Sequence, residues 1–141
     1  MLRQMEPEEQ ADIAATHAWL ARYNASLAES AERRTELLLE RLAEVGGGAA
    51  VRPPFYCDYG VNIELGERVF FNFNCVILDV CRVRLGSHVF VGPAVQIYTP
   101  LHPLDAGLRR HQEYGRPVDI GDDVWIGGGA IILPGVRIGS R

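Results

Sequence analysis

The sequence predicts a β-solenoid wound from very short strands, and two periodic features carry that prediction. Ile120, Ile126, Ile132 and Ile138 recur every six residues, with Val124, Ala130 and Val136 four places after the first three. The same spacing joins Leu65, Phe71 and Ile77, with Val69, Cys75 and Cys81 as their small partners. After a two-residue slip it resumes at Leu85, Val91 and Ile97. A helix repeats its apolar face about every 3.6 residues and a strand every two, so a period of six fits neither. Three hexads per turn make a triangular prism whose large aliphatic side chains point inward, with glycines at corners where φ > 0 is expected.

Residues 1–50 follow another rule and read as a helical cap. Pro7-Glu8-Glu9 starts a helix, proline fitting the first turn and the acids complementing its positive end. Its pattern runs to about Ala28, with Ile13, Trp19, Leu20, Tyr23 and Leu27 forming an apolar stripe. A second helix is expected from Glu29 to Val45, ended by Gly46-Gly47-Gly48. Covering the open end of a solenoid is what such a cap does, because an exposed strand edge invites association.

The solenoid is expected over residues 51–141, interrupted by a loop at about 98–118. There the six-residue rhythm stops and the chain reads YTPLHPLDAGLRRHQEYGRPVD. A loop of that length in a compact solenoid points to function or to disorder. It holds His102 between Pro100 and Pro103, and stiff flanks around one imidazole suit a positioned base that titrates near neutral pH. Cys57, Cys75 and Cys81 are too few for a disulfide framework, and the latter two read as buried core residues.

Composition sets the remaining bounds. The 141 residues make one domain with net charge -4, which gives no electrostatic case for nucleic-acid binding. No apolar run approaches the roughly 20 residues of a membrane span, and the polar start MLRQMEPEEQ has no signal-peptide core, so the expected location is cytoplasmic.

The strings CDYGVNIELG, NFNCVILDVC, QIYTPLHPLD and EYGRPVDIGDDVWIGGGAIILPGV resemble the maltose and galactoside O-acetyltransferase group of the hexapeptide-repeat acyltransferases. LDVC and IYT..HPLD lean toward its maltose branch, and the resemblance runs from about Tyr23 to Arg141. It implies a left-handed parallel β-helix and a homotrimer with sites between neighbouring prisms. It also implies acetyl transfer from acetyl-CoA, as donor substrate, to a sugar hydroxyl, with maltose or glucose the expected acceptor. His102 matches the base that takes the hydroxyl proton. Asn72 matches a position at the reacting centre, where its amide would donate to the oxyanion; otherwise it is a corner asparagine tolerating φ > 0. Asp79 either hydrogen-bonds sugar hydroxyls or supports a turn. The second acid of the galactoside branch falls on Val80, so a galactoside-like grip is not expected. Glu113 either orients His102 or binds the acceptor, or is a surface carboxylate. Trp125 and Gly128 would lie along the pantetheine arm of the cofactor, the indole alternatively packing between subunits.

The resemblance further implies an acceptor-side segment before the first helix, and hexads holding the CoA phosphates beyond Arg141. The chain therefore reads as lacking both, with Arg137 and Arg141 the basic residues near its end. No metal is called for. A zinc lyase on this solenoid needs three converging histidines; His17 falls in the helical cap, and His88 and His111 lack the spacing around His102. The alternative from another class is a catalytically silent scaffold or carbohydrate-binding module.

Overall fold

The computed structural model describes residues 7–141. Helix α1 (Pro7–Asn24) buries Trp19, Leu20 and Tyr23. It stops before the expected Ala28, leaving Leu27 outside the stripe and 55% exposed. Helix α2 (Ala31–Arg41) starts at Ser30, whose side chain accepts from the Arg33 N–H, and buries Leu37 and Leu38. The expected continuation to Val45 is corrected, because Glu44–Val45 pair as a parallel strand with Glu64–Leu65. The Gly46–Gly48 run therefore forms the first corner of the solenoid and does not end a helix.

Five turns of solenoid follow. The first coil carries β1 (Glu44–Val45), β2 (Ala50–Val51) and β3 (Phe55–Cys57). The second carries β4 (Ile63–Leu65), β5 (Phe70–Phe71) and β6 (Cys75–Leu78), and the third β7 (Val83–Leu85), β8 (Phe90–Val91) and β9 (Gln96–Tyr98). The chain then leaves the prism through β10 (Pro100–Leu101), α3 (Ala106–Arg109) and β11 (Tyr114–Gly115). It returns in β12 (Val118–Ile120), β13 (Trp125–Ile126) and β14 (Ile131–Ile132), and β15 (Arg137–Ile138) begins the fifth coil.

Parallel pairing sorts these strands into three faces: β1, β4, β7, β12 and β15; then β2, β5, β8 and β13; then β3, β6, β9 and β14. The inward residues stack in register. Val45, Leu65, Leu85, Ile120 and Ile138 form one column. Val51, Phe71, Val91 and Ile126 form the second, and Cys57, Ile77, Ile97 and Ile132 the third. Nearly all of these side chains are buried in one continuous core, where each contributes about 1.5–3 kcal/mol for a large aliphatic group. The repeat thus begins at Val45, twenty residues before its first expected member.

The two-residue slip has a place: it is the corner between the third and first faces, where Ile77 and Leu85 are eight residues apart and not six. The extra pair puts Val83 in the core position expected of Cys81, whose thiol is only half-buried at the corner. The long excursion leaves from that same corner one coil later.

Glycines answer two demands, and the expected one is the lesser. The residue three after an inward position takes positive φ, and Arg68, Asn74, His88, Ala94 and Asp123 fill it alongside Gly129 and Gly135. The glycine directly after the inward residue serves close approach instead. A Cβ on Gly66 would lie 2.6 Å from the Gly86 carbonyl carbon of the next coil. Helix α1 is bonded to α2 and to the first coil, and α2 reaches that coil through Arg41 Nε, which donates to the Tyr59 carbonyl. Trp19 Nε1 donates to the Leu37 carbonyl, Tyr23 OH to the Val51 carbonyl, and Asn24 both donates to and accepts from Phe55 backbone.

A Gly66→Ala variant is expected to lose about 3 kcal/mol, since backbone must shift against backbone between coils. Gly127→Ala, whose Cβ meets nothing within 4 Å, should change stability by less than about 1 kcal/mol. Urea unfolding midpoints of the two variants provide the comparison, and equal effects would refute the close-approach account.

Candidate functional site

The excursion is a short antiparallel hairpin bent over the third corner. Pro100 pairs with Gly115 and Leu101 with Tyr114, and α3 occupies its tip. Asp105 caps α3 by accepting from the Leu108 N–H, and Arg109 reaches back to the Pro103 and Leu104 carbonyls. These bonds stiffen the tip locally. His102 stands one residue past the ladder and is exposed, while Pro103 beside it is buried. Glu113 stands one residue before the ladder on the returning strand.

The roots of the hairpin are fixed to the corner beneath. Thr99 is fully buried. Its Oγ1 donates to the Leu78 carbonyl at 2.6 Å and accepts from the Cys81 N–H at 3.0 Å. The Thr99 carbonyl accepts from the Arg116 N–H at 2.9 Å, tying the outgoing and returning chains together. Gly115 lies so close to Cys81 that a Cβ there would sit 2.3 Å from the thiol sulfur.

Asp79 lies in the same corner and is fully buried. Its Oδ1 accepts from the N–H groups of Asp58 and Tyr59, and its Oδ2 from Asn62 N–H, while Asn62 Nδ2 donates to the Asp79 carbonyl. The carboxylate therefore closes the corner turn of the first coil. Burial pushes its pKa up to about 6, outweighing the backbone bonds that favour the charged form. Glu113 is felt at this corner too. Asp58 is raised first by burial and then by the Glu113 charge, and Tyr59 is raised by burial with Glu9, Asp58, Glu113 and Asp12 adding to it.

Asn72 sits at another corner, between the second and third faces, directly after inward-facing Phe71. Its Oδ1 accepts from Phe73 N–H at 2.8 Å, and its Nδ2 has no partner among the described residues. The corner alternative offered for it belongs to its neighbour, since Asn74 carries the positive φ of 62°. Trp125 is 81% exposed on the second face, in register with Phe90 and Phe70, and Arg52 stacks over Phe70 and Phe73. Gly128 has a packing reason, because Pro93 would touch a Cβ there at 3.2 Å, whereas Gly127 and Gly129 face open space.

One chain thus carries His102 and Glu113 on the hairpin rooted at the corner that holds Asp79, and Asn72, Trp125 and Gly128 along its second face and the corner after it. It does not bring the two groups together. A cleft of about 360 Å³ between α1 and β3, lined by His17, Leu20, Ala21, Asn24, Tyr56 and Cys57, contains none of them. Among the described residues, no three His, Cys, Asp or Glu side chains converge as a metal site would need. Sequence reasoning passed over Thr99 and Gly115. Their signal lies in the six-residue count, which shows Thr99 two places past an inward residue, where the excursion begins.

No family model matches the chain. It is 58% identical over 137 residues to nodulation protein L of Rhizobium leguminosarum bv. viciae, covering 96% of this chain and 72% of that protein. Its structure resembles that of a maltose O-acetyltransferase from Clostridium difficile 630 with a TM-score of 0.92 at 42% identity, over 95% of this chain and 72% of the other. It also resembles a galactoside acetyltransferase in complex with coenzyme A, with a TM-score of 0.90 at 33% identity, over 97% and 72% of the two chains.

The raised Asp79 pKa has a stability consequence. The folded state holds this proton more tightly than the unfolded chain, whose aspartate titrates near 3.9, so stability from this group rises as pH falls through about 6. Measured against Asp79→Asn, which cannot titrate there, the native chain should gain about 1 kcal/mol between pH 7 and pH 5. A constant difference across that window would contradict the burial-dominated account.

Proposed function

The chain belongs to the hexapeptide-repeat sugar O-acetyltransferases, and from that membership we propose that it moves an acetyl group from acetyl-CoA to a sugar hydroxyl. The observation that carries this reading is the hairpin. It presents an exposed imidazole, His102, between Pro100 and the buried Pro103, on a loop stiffened by its own cap and pinned at both roots to a buried corner.

His102 is the general base. A ring nitrogen takes the proton of the sugar hydroxyl, and the oxygen attacks the thioester carbonyl carbon of acetyl-CoA. The Nδ2 of Asn72 donates to the oxygen that gains charge in the tetrahedral intermediate, where one donor is worth about 10²–10³ in rate. The C–S bond then breaks, and the CoA sulfur takes the proton from the imidazolium. Glu113, on the returning strand of the hairpin, orients the His102 ring. Asp79 shapes the corner under this loop.

The two groups of residues meet in an assembly of identical copies, which we read as a homotrimer. The exposed Phe90 and Trp125 support this, because an exposed aromatic pair beside the Asn72 corner suits both a neighbouring copy and the pantetheine arm. Bare surface at Gly127 and Gly129 leaves room for that arm, with Gly128 between them. Maltose or glucose is the acceptor we favour, since Val80 gives no second acid at the corner. No helix among the described residues is long and apolar enough to cross a membrane. We place the reaction in the cytoplasm, where acetyl-CoA is available and the three free thiols stay reduced.

CoA release on a panel of maltose, glucose, galactosides and an amino sugar tests the reading. His102→Ala should lower kcat about 10²–10⁴-fold while the Kd for acetyl-CoA, read by calorimetry, stays within a few fold. Sugar-dependent release at the native rate in that variant would remove His102 from the chemistry, and absence of any acetyl-CoA binding would favour the silent scaffold.

Sharing of the site between copies has its own test. Separately inactive His102→Ala and Asn72→Ala chains, unfolded and refolded together, should regain part of the native activity through interfaces that unite the two intact residues. Mixtures as inactive as their parents would place both residues within one chain's site.

A further inference from the structure

We propose that Thr99 is a positioning residue for the transfer reaction, acting through His102 by locking the hairpin to the prism, with Gly115 as the second half of the lock. The inference rests on the reading of His102 as the base.

Thr99 ends the third face at the last point where the chain still follows the solenoid. Its hydroxyl uses both of its capacities on the preceding coil, donating to the Leu78 carbonyl and accepting from the Cys81 N–H. Its backbone N–H also reaches Leu78, at 3.1 Å, while its carbonyl holds the returning strand through Arg116. One buried residue thereby joins the second-coil corner to both roots of the hairpin. Three residues on, His102 inherits that geometry through the stiff Pro100–Leu101 segment.

Gly115 completes the lock from the other strand. It presses against Cys81 and Val80, where a methyl group would have to displace the sulfur or lift the strand. Leu78–Cys81 is thus a platform, and the hairpin rests on it through a hydroxyl on one strand and a missing side chain on the other. A base misplaced by about 1 Å can cost about 10²-fold in rate, so the lock matters to chemistry well beyond its contribution to folding.

Thr99→Val keeps the volume and removes both hydroxyl bonds; Thr99→Ser keeps the bonds. In the full chain, Thr99→Val should lower kcat about 10- to 100-fold with KM for acetyl-CoA within about twofold, and Thr99→Ser should restore most of it. Gly115→Ala, a steric perturbation from the opposite strand, should reproduce the kcat loss even if the valine variant folds poorly. Amide hydrogen exchange should accelerate over residues 100–116 in Thr99→Val and Gly115→Ala but not in Thr99→Ser, with the strands of the other two faces unchanged.

Placed on His102→Ala, Thr99→Val should cost no further activity, because its effect passes through the absent ring. An equal loss on both backgrounds, native kcat in both lock variants, or unchanged exchange over the hairpin would overturn the proposal. If instead His102→Ala alone keeps native activity, the base assignment fails first. Accelerated hairpin exchange would then still report the lock, and only its link to catalysis would be refuted.

Discussion

Everything in this molecule depends on successive coils lying directly against one another in parallel register. Strands paired in this way stand about 4.8 Å apart, so each backbone is the floor for the next. Val45, Leu65, Leu85, Ile120 and Ile138 stack because the register leaves them no alternative. The glycine after each such residue follows from the same spacing, since a Cβ on Gly46, Gly66 or Gly86 would enter the backbone of the coil above. A solenoid of this kind tolerates almost no variation inward. Variation is pushed outward, to the face surfaces and corners.

The three corners are not equivalent. Only the one between the third and first faces carries extra residues in the early coils, two in each, and it is there that the long excursion emerges. Extra backbone at a corner brings polar groups that the ladder does not satisfy, and buried groups of that kind need partners. Asp79 supplies them in the second coil, taking three N–H groups of the first. Thr99 does the same in the third coil, for the second. The corner that carries the hairpin is therefore the one most heavily reinforced by buried polar side chains.

Periodicity made the fold legible because inward residues are constrained by volume and chemistry at once. Ten of the inward positions could be read from spacing alone. The first coil was obscured because Leu37, Leu38, Leu42 and Val45 also fit a helical stripe, and pairing with Glu64–Leu65 overrides that local preference. Cys81 was misplaced for a related reason: counting by six does not show which residue of an eight-residue corner returns to the core. His102 was singled out by the loop that holds it, and Asn72 by the resemblance of its surroundings. Asp79 was ambiguous, because a carboxylate that gathers backbone N–H groups and one that faces a ligand look alike in sequence. The six-residue count marks Thr99 only as the start of the excursion; its two hydrogen bonds across a coil leave no trace in the sequence.

The separation of the site residues follows from the prism itself. A narrow core filled by one column of side chains per face leaves no interior cavity for a substrate, so chemistry has to be carried on the outside. Any one corner projects away from the others, and side chains at different corners of one prism cannot converge on a small reacting group. Such a fold can build a concave site in two ways: by an excursion folded back over its own surface, or by setting a corner of one copy against a face of another. The hairpin bearing His102 supplies the first element, and the exposed row of Phe90 and Trp125 beside the Asn72 corner has the character of the second. On this view the rigidity that the stacked coils impose is what makes a divided site workable. Two residues carried by separate rigid prisms keep their relative geometry once the prisms are docked, provided that the hairpin, which stands outside the stacked coils, is itself held down.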